Sequence, residues 1–107
     1  MRNRQAKGYI FNASFYVNPD QYTQWRDWLD QRLFPFVEKI VPGLRFQVFE
    51  VLSEVNQGML VFSVQFQCSD KEQLERIQNE TLPVFEEFRM QFGEQVTHFN
   101  SILSRIL

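Results

Sequence analysis

The chain contains very few of the side chains that most often carry metal or redox chemistry, with one cysteine (Cys68) and one histidine (His98). A single thiol cannot form an internal disulfide, which excludes the disulfide-stabilised scaffolds of small secreted proteins. A structural zinc site takes four Cys or His ligands, and one copy of the chain has too few of them. The sequence therefore predicts no metal site and no cofactor.

The chain also has no excess of positive charge and no long hydrophobic run. Its 11 basic and 13 acidic residues give a formal net charge of -2, so nothing favours nucleic-acid binding. No apolar run approaches the roughly 20 residues that span a bilayer. Residues 1–7, with Arg2, Arg4 and Lys7, are interpreted as a flexible basic tail rather than a signal peptide, because polar residues such as Asn12 interrupt the apolar stretch that follows. We expect a cytoplasmic protein that binds neither nucleic acid nor membranes.

Phenylalanine is abundant, at 12 of 107 residues, and 44% of all residues are hydrophobic. A disordered chain would lack the aromatic residues needed to build a core. A chain of this length forms one domain of typical size and buries roughly 65% of its unfolded surface. We therefore predict a single domain over residues 1–107.

Four segments alternate between apolar and polar residues with a period of two, which is typical of half-buried strands. They cover residues 9–17, 44–53, 59–68 and 96–103. The turn Asn56-Gln57-Gly58 lies between the second and third segments, and so short a connection favours an antiparallel hairpin.

Two helical stretches separate these strands. The first begins at Asn18 and Pro19, a cap and a first helical residue, and its apolar residues recur at three- and four-residue spacing. Pro35 predicts a break or kink, followed by a short turn that reaches Ile40. The second stretch begins with a predicted capping box in which Ser69 is the cap, is interrupted at residues 81–83, and ends at Gly93.

The resulting order is strand, helix, strand, strand, helix, strand. This order predicts an α+β protein of the ferredoxin-like βαββαβ type, with a four-stranded antiparallel sheet and two helices on one face. The right-handed crossover rule places the first and third strands in the middle of the sheet.

The second face of such a sheet has no helices on it, and here its strands carry almost no charge. Residues 8–17, 57–69 and 95–104 contain no Asp, Glu, Lys or Arg, whereas an exposed antiparallel face usually does. We call this surface the open face. Alternation predicts that the open face presents Asn12, Ser14, Tyr16, Gln47, Val61, Ser63, Gln65, Gln67 and either His98 or Asn100. Two explanations are open: a homodimer whose two sheets close a barrel, or a solvated sheet that uses neutral side chains.

Several segments carry a resemblance to a known family. They are Tyr9-Ile10-Phe11-Asn12, Trp25-Arg26-Asp27-Trp28-Leu29, Phe62-Ser63-Val64-Gln65-Phe66 and Phe92-Gly93-Glu94-Gln95-Val96. From Tyr9 to Leu103 the chain resembles a small bacterial family catalogued as domain of unknown function 4286. The resemblance implies a ferredoxin-like fold of the dimeric α/β-barrel type and no established activity.

The candidate site residues are those predicted on the open face. His98 is a candidate catalytic residue because histidine is the one side chain that titrates near neutrality when unperturbed. Tyr16, which is predicted on the same face, is the second candidate catalytic residue. Asn12, Ser14, Gln65 and Asn100 are the candidate ligand-binding residues.

Two functions remain open at this stage. The favoured one is a non-enzymatic dimeric domain with a structural or ligand-binding role, whose partner is a second copy bound through the open face. The alternative is a cofactor-independent monooxygenase or isomerase that acts on a small hydrophobic or aromatic molecule inside the dimeric barrel. A small-molecule ligand is compatible with both.

Overall fold

A computed structural model describes residues 8–52 and 58–107. Four strands lie within them: β1 (Tyr9–Val17), β2 (Arg45–Glu50), β3 (Leu60–Cys68) and β4 (Val96–Ser104). The same residues contain four α-helices: α1 (Tyr22–Trp28), α2 (Phe34–Ile40), α3 (Lys71–Glu80) and α4 (Leu82–Phe92). The predicted basic tail, residues 1–7, and most of the predicted turn at residues 56–58 lie outside the described residues.

The four strands form one antiparallel sheet in the order β2-β3-β1-β4. The central pair runs from Tyr9 opposite Cys68 to Val17 opposite Leu60. The first and third strands are therefore in the middle of the sheet, and the predicted ferredoxin-like α+β fold is confirmed. In residues 8–52 and 58–107, no helix has the length and hydropathy needed to cross a membrane.

The core lies between the sheet and the helices. Alternate residues of β1 and β3 are buried against the helices, as their period of two predicts. These residues are Phe11, Ala13, Phe15, Val17, Phe62, Val64, Phe66 and Cys68. Phe15 is at the centre, with its ring centroid 5.4 Å from that of Trp25 and 5.5 Å from that of Phe88, both edge to face. The indole N–H groups of Trp25 and Trp28 are buried and have no hydrogen-bond partner among the described residues.

The first helical stretch continues past Pro35, where we expected a break or kink. A π turn, Leu29–Leu33, joins α1 to α2, and the Phe34 N–H bonds to the Leu29 carbonyl five residues back. Proline has no N–H to donate and its ring obstructs the carbonyl four residues earlier in a regular helix. The π turn shifts the hydrogen-bond ladder immediately before Pro35, so that the proline occupies the first turn of α2.

The second helical stretch begins one residue later than predicted. Asp70 is the cap, not Ser69, because the Asp70 carboxylate accepts the Gln73 backbone N–H at 2.8 Å. The Gln73 side-chain oxygen in turn accepts the Ser69 backbone N–H at 2.9 Å. The predicted interruption is confirmed, since α3 ends at Glu80 and α4 begins at Leu82. The predicted stop at Gly93 is confirmed as well, and the positive φ of +57° there favours glycine.

Candidate functional site

Strand register defines the open face, because residues directly opposite one another in an antiparallel pair lie on the same face. The register confirms eight of the predicted open-face residues: Asn12, Ser14, Tyr16, Gln47, Val61, Ser63, Gln65 and Gln67. It adds Ile10 from β1, Arg45 and Phe49 from β2, and Thr97, Phe99, Ser101 and Leu103 from β4. Arg45, on the edge strand, is the one charged side chain that these strands place on the open face.

A hydrogen-bonded network of neutral side chains occupies the middle of the open face. Asn12 donates from Nδ2 to Ser14 Oγ at 3.0 Å and to Ser101 Oγ at 3.3 Å. Ser63 Oγ donates to Asn12 Oδ1 at 2.6 Å, and Gln65 Nε2 donates to Ser63 Oγ at 3.1 Å. Asn12 is only 8% exposed in one isolated copy. The network joins β3, β1 and β4 without a charge, and three predicted ligand-binding residues belong to it.

Exposed apolar side chains lie at the two edges of this network. Phe49 on β2 is 46% exposed, and Phe99 on β4 is 52% exposed. The Phe99 ring stacks on that of Tyr16, with their centroids 6.3 Å apart. The open face thus combines a neutral polar centre with an apolar rim, and exposed apolar side chains that lie together often mark an interaction surface.

His98 and Asn100 lie on the helix-covered face, so their predicted place on the open face is wrong. His98 is opposite Phe15 and Asn100 is opposite Ala13, both on the side of the core. The imidazole stacks on Phe85 with a centroid distance of 4.7 Å. Alternation places His98 and Asn100 on the open face only if Phe99 is a core residue, whereas Phe99 stacks on Tyr16 and β4 has the opposite phase.

The His98 ring is held in one tautomer by its two neighbours. Arg89 Nη1 lies 3.3 Å from His98 Nε2, and an arginine can only donate, so Nε2 accepts. Nδ1 therefore carries the proton and donates to Asn100 Oδ1 at 3.3 Å. Burial lowers the pKa of His98 below its usual 6.5, the hydrogen bond to Asn100 raises it, and the Arg89 charge lowers it. His98 is neutral at pH values near 7.

This lowered pKa predicts a pH-dependent stability. An unfolded histidine titrates near 6.5 and the folded one below it, so the unfolded chain binds the proton first as the pH falls. The free energy of unfolding should therefore decrease from about pH 7 to about pH 5, and His98→Gln should remove part of this decrease. Urea denaturation of both proteins at each pH measures the difference. Equal pH dependence in the two proteins would contradict the assignment.

The two candidate catalytic residues do not share a site. Tyr16 is on the open face, and His98 is on the helix-covered face of the neighbouring strand. A general base must lie within hydrogen-bond reach of the proton it removes, so these two groups cannot act together on one molecule at the open face. Of the six predicted site residues, Asn12, Ser14, Tyr16 and Gln65 remain together.

Cys68 is buried at the end of β3, next to the start of α3. Burial and, to a smaller extent, the Asp70 carboxylate raise the pKa of its thiol to about 11. The thiol is therefore protonated at neutral pH, and the thiolate is the reactive form. Among the residues that the structure describes, no three His, Cys, Asp or Glu side chains are grouped so that they could hold a metal ion.

A cleft of about 680 Å³ lies at the end of the sheet where β1 begins and β3 and β4 end. The segment between α2 and β2 forms another of its walls. Arg45 and Arg105 line this cleft, and so does Cys68. Sequence reasoning did not find the cleft, because its walls come from parts of the chain that are far apart in sequence.

Comparison with known families agrees with this architecture. The family model described as domain of unknown function (DUF4286) matches residues 8–106. The chain belongs to this family. The DUF4286 family has no assigned function, so membership establishes the kind of domain and leaves its activity open. None of the curated proteins compared with the chain matches it.

Solved structures share the fold of this DUF4286 domain at low sequence identity. A dimeric ferredoxin-like protein from an uncultured marine organism has a TM-score of 0.72 at 13% identity, covering 96% of this chain and 98% of its own. The de novo designed protein Foldit4 has a TM-score of 0.62 at 13% identity, covering 92% and 99%. An ethyl tert-butyl ether d (ethd) family protein from Bacillus halodurans has a TM-score of 0.54 at 17% identity, covering 87% and 96%. These likenesses show the fold alone.

Proposed function

We propose that this DUF4286 domain is a non-enzymatic domain that forms a homodimer through its open face, with a structural or ligand-binding role. We further propose that residues 1–107 form one domain and that the protein is cytoplasmic. The observation that carries it is the network centred on Asn12, which is nearly buried in a single copy on the face that no helix covers.

The chemistry of the open face suits a surface that loses its water. Moving an unpaired charge out of water costs far more than moving an amide or hydroxyl that keeps its hydrogen bonds. Ser63, Asn12 and Gln65 already satisfy one another within one copy. A second copy can therefore cover these three side chains without burying a charge.

The apolar rim supplies the driving force for association. Burying apolar area contributes about 25 cal/mol per Å², and a large aromatic side chain contributes most. Phe99 and Phe49 are about half exposed in one copy. The dimeric ferredoxin-like protein of the same fold supports a homodimer by analogy.

Light scattering of the purified chain across a concentration series tests the proposal. We expect twice the mass of one chain at micromolar concentration, and a single-chain mass there would contradict the proposal. Phe99→Ala should weaken association about tenfold, because it removes half-exposed aromatic area from the interface.

Phe46→Ala is the matched control for this experiment. Phe46 is 45% exposed, comparable to Phe99, but it lies on the helix-covered side, where its ring stacks on Phe34. We expect this variant to keep the dissociation constant of the native protein. Equal weakening by both substitutions would place the interface somewhere other than the open face.

A further inference from the structure

The cleft at the end of the sheet has the size and the walls of a small-molecule site. Its volume of about 680 Å³ falls within the range of roughly 300–1,000 Å³ that is typical of ligand pockets. Its apolar walls come from three places: Ile10 at the start of β1, Leu103 at the end of β4, and Val41 and Leu44 between α2 and β2. Such walls suit an apolar chain or ring.

The charged side chains that line the cleft are of one sign. Arg45 and Arg105 line it, and no Asp or Glu does, although the whole chain has a net charge of -2. Neither guanidinium forms an ion pair with an Asp or Glu side chain in residues 8–52 and 58–107. Four other arginines, by contrast, each pair with a carboxylate on the helix surfaces. Both arginines of the cleft are thus without an Asp or Glu partner in the part of the chain that the structure describes.

Arg105 is positioned by its contacts with the start of β1. Its backbone N–H donates to the Gly8 carbonyl at 3.1 Å, and its Nη1 donates to the main-chain oxygen of Leu107 at 3.2 Å. Gly8 has a φ of +64°, and a Cβ there would lie 3.5 Å from Arg105 Nε. The positive φ favours glycine at this position, whereas a Cβ at 3.5 Å would make only an ordinary van der Waals contact with Arg105.

From these observations we infer that the cleft binds a small amphipathic carboxylate. Arg45 and Arg105 contact the carboxylate head, because guanidinium groups match its geometry and charge. The apolar chain lies along Ile10, Leu44 and Leu103. Cys68 contributes a neutral thiol to the wall and takes part in no chemistry. The inference does not rest on the proposed dimer, because every wall of the cleft belongs to one copy. Three of its lining residues, Ile10, Arg45 and Leu103, also lie at the end of the open face.

Calorimetric titration with decanoate, below its micelle-forming concentration, tests the inference. We expect saturable binding of one decanoate per chain, and binding of decan-1-ol and decyltrimethylammonium at least about tenfold weaker, because they lack the negative head. Equal affinity for decan-1-ol, or no binding of decanoate at millimolar concentration, would overturn the inference.

Three arginine variants locate the head group. Arg45→Gln and Arg105→Gln should each weaken decanoate binding about tenfold. Arg32→Gln is the matched control, since Arg32 pairs with Glu87 on the helix surface, and it should bind decanoate as the native protein does. Unchanged binding by both cleft variants would overturn the inference.

Two further measurements separate these results from misfolding and from dimer formation. Amide chemical-shift changes on addition of decanoate should be concentrated at Gly43, Cys68 and Ser69. Shift changes at other residues, with none at these three, would overturn the inference. Asn12→Asp, a variant designed to be monomeric, should retain native affinity for decanoate. Loss of decanoate binding in that variant would show that the site needs a second copy. It would overturn the inference that one chain forms the whole site.

Discussion

Phe15→Ala should lower the free energy of unfolding by about 4 kcal/mol, the largest stability effect that we expect from a single substitution in this domain. Phe15 is fully buried on the central strand β1, and its ring packs edge to face against Trp25, Trp28 and Phe88. Alanine removes these contacts and leaves a cavity. The surrounding rings belong to the sheet and to two helices, so they cannot all move to fill it. Typical domains are stable by only about 5–15 kcal/mol, so the variant should be close to unfolding.

Urea denaturation at fixed protein concentration measures this effect, since association also contributes to apparent stability. Leu82→Ala is the control, because Leu82 is 60% exposed at the start of α4 and should change the free energy of unfolding by less than about 0.5 kcal/mol. A cost below about 1 kcal/mol for Phe15→Ala would mean that the aromatic cluster is not the centre of the core.

Asn12→Asp should raise the dissociation constant of the dimer about a thousandfold at neutral pH. The substitution keeps the shape of the side chain and places a negative charge in the middle of the open face. An uncompensated charge buried at an interface costs about 3–5 kcal/mol, and the two copies would bring two such charges together. In a single copy the new carboxylate can accept hydrogen bonds from Ser14, Ser63 and Ser101, so the monomer should fold.

Sedimentation equilibrium measures the dissociation constant of this variant. Association should recover as the pH falls through the range where the carboxyl group is protonated, since the neutral acid again fits the network. Asn79→Asp, on the exposed surface of α3, makes the same chemical change away from the open face and should leave association unchanged. A dimer of native affinity for Asn12→Asp would contradict the proposed interface.

The fold was predictable from the sequence because its signals are local and agree with one another. The alternation of β1 and β3 fixes which residues are buried, and Phe15 and Phe66 are buried as predicted. The interruption near Pro83 and the stop at Gly93 set the ends of the second helical stretch. The continuity through Pro35 was not predictable, because a π turn depends on how the helix packs and has no clear pattern of its own.

The site was predicted only in part, because a period of two has two possible phases. In β4 both phases contain a large apolar residue, with Phe99 in one and Ile102 in the other, so the pattern does not choose between them. Val96, fully buried opposite Val17, sets the actual phase. Recognising that pair would have placed His98 on the side of Phe85. The end cleft depends on tertiary structure, since Arg45 and Arg105 are brought together only by the completed sheet.

An isotope-filtered NMR experiment on a mixture of labelled and unlabelled chains tests the central claim most directly, because it detects only contacts between copies. If the open face is the interface, intermolecular cross-peaks should arise from Tyr16, Phe49 and Phe99 on that face. Leu82 and Met90, exposed on α4, should give none. Cross-peaks from the α4 residues in place of those from the open face, or no intermolecular cross-peaks at all, would contradict the account.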